Sequence, residues 1–101
     1  MSDQTGCRAD VWLWRARFFK TRSLAANVLE AGRVRLIRDG RETRLDKASR
    51  TLKPGDGVVF ALGGKVISVE IVALGERRGP ATEARTLYTS LETDDPPPAD
   101  G

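Results

Sequence analysis

The apolar positions of this chain change their spacing part-way along. Around Asp10 to Lys20, Ala9, Trp12/Leu13, Ala16 and Phe19 recur every three or four residues, the single stripe that marks an amphipathic helix. Val11, Trp14, Arg15 and Phe18 fall on a second face that mixes aromatic and basic groups. Thr21 stands where an N-cap would, its hydroxyl placed to accept from an amide one turn on. The spacing of Leu24, Ala25, Val28 and Leu29 predicts a second helix to about Ala31, with those four on its buried side. Gly32 follows as a left-handed C-cap.

After Gly32 the period falls from about 3.6 to about 2. Val34 and Leu36 alternate with Arg33, Arg35 and Arg38, which predicts a half-buried strand with a basic outer face. Asp39-Gly40 is turn chemistry. Arg41 to Leu52 is charge-rich and without a clear period; Thr43 and Leu45 extend a strand, and Lys47 to Arg50 reads as a loop. Pro54-Gly55-Asp56 turns the chain again. Val58 to Leu62 reads as a buried strand, and Gly63-Gly64 folds it back into the alternating run Val66 to Val72. Beyond the polar connector Glu76 to Pro80, Ala84, Leu87, Tyr88 and Leu91 predict a short third helix over Thr82 to Leu91, one that needs docking to persist.

The expected class is therefore α+β: a helix pair packed on a small, mostly antiparallel sheet, with a short C-terminal helix. Residues 1–7 form a polar leader, 8–75 the main domain, 76–91 a connector with the last helix, and 92–101 (ETDDPPPADG) an acidic, proline-rich tail expected to be disordered.

Composition narrows the chemistry. A chain of 101 residues has room for one modest core. It has no apolar run near the roughly 18 residues that would span a bilayer, and the leader has no apolar segment to direct secretion. A cytoplasmic protein is expected. Cys7 is the single cysteine and histidine is absent, which removes internal disulfides, the usual zinc ligand sets and the commonest general base. Asp39, Glu42 and Asp46 are interleaved with Arg38, Arg41, Arg44 and Lys47, so local ion pairing is the expectation there and metal binding is not. No serine has an evident base beside it. No enzyme, cofactor or metal is expected.

Charge supplies the functional signal. Arg8 to Arg38 carries eight Lys/Arg against two acids, whereas Thr51 to Gly101 carries five against eight. Concentrated this way, the cations form a focused positive field of the kind a phosphate-binding surface presents. The junction Lys20-Thr21-Arg22-Ser23 sets two cations and two hydroxyls at a helix N-terminus, where unpaired amides and the dipole already favour phosphate. Arg17, one turn back, and Arg15 add further donors, and Arg33 and Arg35 project from the first strand. Trp12 and Phe19 belong to the core. Trp14 and Phe18 are expected to pack beneath the last helix, through Leu87 and Tyr88, in preference to stacking on bases.

On three segments, RADVWLWRARFFKTRSLAANVLEAGRVR (Arg8–Arg35), LKPGD (Leu52–Asp56) and LGERRGPATEARTLY (Leu74–Tyr88), the chain resembles a stand-alone S-four RNA-binding domain. The three together resemble the ribosome-associated heat-shock protein fifteen family more than other holders of that module. The resemblance implies two helices of the αL RNA-binding type on a small sheet. It also implies binding to ribosomal RNA of the large subunit, in particular free subunits holding a blocked nascent chain on tRNA after heat stress. Carried over residue by residue, the implied RNA contacts are Arg8, Arg15, Lys20, Thr21, Arg22, Ser23, Arg33 and Arg35, with Arg17 and Asn27 in addition. Two features depart from the family: Leu36 to Arg50 is longer and more charged than the usual link, and the tail is acidic where some members are basic.

The expected partners are ribosomal RNA and the large subunit, with tRNA as a further one, and neither a membrane nor a small-molecule substrate. The chain is expected to be a monomer. Two competing readings are an accessory protein-binding module that uses the sheet and last helix, and a general nucleic-acid binder that also takes DNA.

Overall fold

In the computed structural model of the chain, residues 6–91 are described. Strand β1 (Cys7–Arg8) leads directly into helix α1 (Ala9–Arg15), and helix α2 follows at Arg22–Glu30. The strands β2 (Val34–Arg38), β3 (Arg41–Leu45), β4 (Thr51–Leu52), β5 (Gly57–Leu62) and β6 (Lys65–Ile71) come next. A single helical turn, α3 (Ala81–Ala84), a 3₁₀ turn (Arg85–Leu87) and β7 (Tyr88–Ser90) complete the described part. Five strands form one antiparallel sheet in the order β3-β2-β5-β6-β7, and β1 pairs with β4 in a separate two-stranded ladder. The architecture is the α+β arrangement the periodicity predicts.

The core lies between the helix pair and one face of the sheet. Trp12, Leu13 and Ala16 of the first helical segment and Ala25 and Leu29 of α2 pack with Val34, Leu36, Leu45, Val58, Phe60, Val69 and Ile71. Complete burial of a leucine such as Leu29 contributes about 2 kcal/mol, so a helix of only nine residues is held by packing more than by propensity. Trp12 is fully buried, and its indole N–H donates to the carbonyl of Ala73 at 2.9 Å, which meets the need of a buried polar edge for a partner. The expected buried side of α2 is narrower than its sequence suggests. Leu24 is 46% exposed and Val28 is half-buried, because only Ala25 and Leu29, one turn apart, face the sheet squarely.

The first helix stops at Arg15 and does not reach Lys20. The amide of Phe18 bonds to the carbonyl of Leu13 and that of Arg17 to Trp14, a Schellman termination. Its left-handed position is Arg17, at φ 67°. The second helix ends in the same way, with Arg33 bonded to Val28 and Gly32 to Leu29, and there the left-handed residue is Gly32, at φ 74°. Unwinding after Arg15 lets two successive aromatics reach Phe60: the ring centroids of Phe18 and Phe19 lie 5.1 and 5.8 Å from it. A continued helix would point those rings about 100° apart.

The third predicted helix is likewise shorter. Only Ala81–Ala84 is α-helical, and Tyr88–Ser90 pairs with β6 as an edge strand. The open edge of β6 satisfies backbone groups that a short exposed helix would leave to water. Tyr88 still packs on Phe18 at 4.8 Å, as the aromatic pattern predicts. Arg41–Leu45 is a full strand where the sequence was ambiguous, and Lys47 to Arg50 is a loop. Cys7, assigned to the leader, lies half-buried in β1. Residues 1–5 and the acidic tail from 92 onward lie outside the described residues.

Candidate nucleic-acid interface

The start of α2 is built by Thr21. Its backbone is extended, and its hydroxyl accepts the amide of Leu24 at 3.1 Å. The first-turn amides of Arg22 and Ser23 have no intrahelical carbonyl to reach. The start of α1 is different: the Ala9 and Asp10 amides are taken by the carbonyls of Arg50 and Ala48, at 2.8 and 3.2 Å. Between the N-termini of α1 and α2, that of α2 is the one left open toward an anion.

A buried carboxylate links the cations beside it. Asp10, only 3% exposed, accepts from Arg8 Nε and Nη2 at 3.0 and 3.1 Å and lies 3.9 Å from Arg22 Nη2. The Arg8 hydrogen bond raises that guanidinium's pKa, so it stays charged at any working pH. Both arginine side chains remain half exposed. Asp10, Arg22, Ser23 and Ala26 line a shallow hollow of about 340 Å³. Lys20 is exposed and makes no hydrogen bond or ion pair among the described residues. Two cations, Arg8 and Arg22, thus meet at one carboxylate beside the Thr21 cap, and Lys20 precedes that cap in the chain.

The remaining predicted residues fall into two groups. Asn27, one turn beyond Ser23, is exposed along α2. Arg33 and Arg35 sit past the far end of that helix, about 14 Å away at 1.5 Å per residue. Arg33 is exposed, and Arg35 pairs with Glu42 at 2.8 Å on the outer face of the sheet. They lie apart from the junction cluster, past the end of α2.

Arg15 and Arg17 each make a hydrogen bond within the fold. Arg15 Nη1 donates to the carbonyl of Gly75 at 2.8 Å and lies 3.7 Å from Cys7 Sγ, while its Nε is buried with no partner among the described residues. Arg17 Nε donates to the Gly79 carbonyl at 2.6 Å. Both tie the 73–79 connector to the helix pair, with Arg15 half-buried and Arg17 exposed.

Sequence reasoning gave no role to Arg78. It donates to the Trp14 carbonyl at 3.1 Å and lies 6.0 Å from the Trp14 ring centre, where a cation complements the α1 C-terminus. Nothing local marks it, because the contact spans 64 residues. Arg38 was expected to pair within its own charged run; instead it grips the buried Asp56 with two bonds, at 2.9 and 2.7 Å. The same carboxylate accepts the Lys53 amide at 2.8 Å. Among the described residues no cluster of metal-ligand side chains occurs, and no helix is long and apolar enough to cross a membrane.

Comparison with known proteins bears on this geometry. A heat shock protein 15 homolog of Haemophilus influenzae is 35% identical over 86 residues, covering 85% of this chain and 62% of the relative. The RQC P-site tRNA stabilizing factor of Bacillus subtilis is 33% identical over 85 residues, covering 84% of this chain and 92% of that protein. The trimeric structure of Vibrio cholerae heat shock protein 15 superposes with a TM-score of 0.75 at 35% identity, covering 85% of this chain and 82% of the other. The chain belongs to the heat shock protein 15 family. That family is of the S-four RNA-binding type, which matches the helix pair and sheet described above. The chain spans about three-fifths of the length of the Haemophilus heat shock protein 15 relative. No family model matches the chain.

Proposed function

We propose that this protein binds structured ribosomal RNA through the α1–α2 junction and acts by holding its partner, without catalysis or cofactor. The observation that carries this reading is the meeting of Arg8 and Arg22 at Asp10 beside the open, Thr21-capped start of α2, with the exposed Lys20 next to the cap in the chain. Thr21, Ser23 and Asn27 offer uncharged donors and acceptors beside the cations, and Arg33 and Arg35 lengthen the footprint. A-form RNA hides its base edges in a deep groove, so contacts to phosphate and ribose dominate, and shape rather than sequence is read.

The partner in this reading is the large ribosomal subunit in the cytoplasm, in the state that retains a blocked nascent chain on tRNA after heat stress. Relatives named for heat shock and for stabilising a P-site tRNA support it. The protein acts as a monomer here. Sedimentation of tagged protein through a sucrose gradient tests the reading. Comigration with free large subunits is expected, and confinement to the top of the gradient contradicts it.

A further inference from the structure

At the other end of β2, the β2–β3 hairpin and the loop before β4 enclose an open hollow of about 420 Å³. It is lined by Leu36, Arg38, Asp39, Arg41, Thr43 and Arg50. Its charge is unbalanced. Arg38 is held by Asp56 and also donates to the Thr51 carbonyl at 3.1 Å, so its position is fixed and its charge is met. Arg41 is the direct cross-strand partner of Arg38, an opposition of like charges that weakens a ladder unless something neutralises it. Neither Arg41 nor Arg50 makes an ion pair or side-chain hydrogen bond among the described residues. Asp39 sits at the hairpin turn with φ 54° and forms no ion pair there either. The hairpin therefore holds two guanidinium groups without an ion-pair partner beside a third that is locked, and with the Asp39 carboxylate counted the hollow keeps a net positive charge.

This hollow adjoins the junction surface. Thr51, whose carbonyl holds Arg38, is the ladder partner of Arg8, and ladder neighbours lie about 5 Å apart. The carbonyl of Arg50 accepts the amide of Ala9. Arg8 thus stands between the start of α2 and the hairpin hollow.

We propose that the hollow of Arg38, Arg41 and Arg50 is a second phosphate station, which takes a backbone phosphate of the same RNA beyond the stretch held at the α1–α2 junction. The proposal rests on the reading of that junction as RNA-binding. Arg41 and Arg50 supply the charge-assisted donors. Arg38 acts as a positioning residue, and the Thr43 hydroxyl offers an uncharged donor beside them.

The test compares three full-length proteins, wild type, Arg41→Gln/Arg50→Gln and Lys20→Ala/Arg22→Ala, binding isolated large ribosomal subunits across a salt series. Arg38 is left in place because Asp56 depends on it. Loss of the hairpin cations is expected to weaken binding about tenfold at low salt and to flatten the log–log salt slope by about one to two. If the hairpin variant keeps wild-type affinity and slope while the junction variant loses both, the hollow is not a phosphate station and the junction reading stands. If the junction variant binds as wild type while the hairpin variant does not, the station stands and the junction reading falls. Arg41→Glu, at an exposed position, serves as a second variant if the Arg50 change disturbs folding, and it should weaken binding further than Arg41→Gln. Titration with inorganic phosphate, followed on the arginine Nε–H resonances, separates a strand-borne ligand from a free anion. Saturation at micromolar phosphate, with RNA affinity intact in the hairpin variant, overturns the proposal.

Discussion

Arg8 and Asp10, two residues apart, form a forked ion pair in which the carboxylate is buried and the guanidinium is half exposed. Asp10 subtracts a charge from the basic surface yet fixes the side chains that make it. The two effects can be weighed. One extra positive charge about 6 Å from a phosphate is worth roughly 0.7 kcal/mol in water. Re-ordering Arg8 and Arg22 on binding costs about 0.5–1.5 kcal/mol each. Ordering wins, so Asp10→Asn should weaken RNA binding by about fivefold although it makes the surface more positive. A filter-binding titration against wild type decides it, and tighter binding by the variant would mean that Asp10 only attenuates the field.

Position 17 offers a test of the fold that does not involve RNA. Arg17 is left-handed where the matching site after α2 holds Gly32, a conformation that costs a side-chain-bearing residue about 1–2 kcal/mol. Its hydrogen bond to Gly79 offsets part of that cost. Arg17→Ala keeps the backbone cost and loses the bond, whereas Arg17→Gly loses both. Urea unfolding should find the Gly variant about 1 kcal/mol more stable than the Ala variant. Equal midpoints would mean that the turn is not strained at this residue.

How much of this was legible beforehand follows the range of each interaction. The Thr21 cap, the Gly32 termination and the β5–β6 hairpin depend on neighbours within a few residues, and the sequence carries them openly. The early end of α1 and the conversion of Tyr88–Ser90 to a strand depend on partners far along the chain, Phe60 and β6. The same holds for the site. Lys20, Thr21, Arg22 and Ser23 could be grouped because they are contiguous. That Arg15 and Arg17 serve the connector, and that Arg38 closes on Asp56, could be seen only once the chain was folded.

Cys7 gives a pH-dependent readout. Burial pushes its thiol above the ordinary 9.0, with nearby Arg15 pulling it back, Asp10 raising it and Arg22 lowering it. A raised value means that the folded chain holds this proton more tightly than the unfolded chain. Its contribution to stability is complete below the unfolded value and is lost as pH climbs through the folded one. Alkylation by iodoacetamide, followed against pH, should therefore reach half-rate at a higher pH in native protein than in urea-unfolded protein. A native midpoint at or below the unfolded one would contradict the burial of Cys7.

Binding of Lys20→Ala/Arg22→Ala to isolated large subunits across a salt series probes the junction most directly. If phosphates sit at the start of α2, affinity falls and the salt slope flattens by about one to two, with the unfolding midpoint little changed because both side chains are largely exposed. Affinity and slope identical to wild type would place the RNA, if it binds at all, on some other part of the molecule.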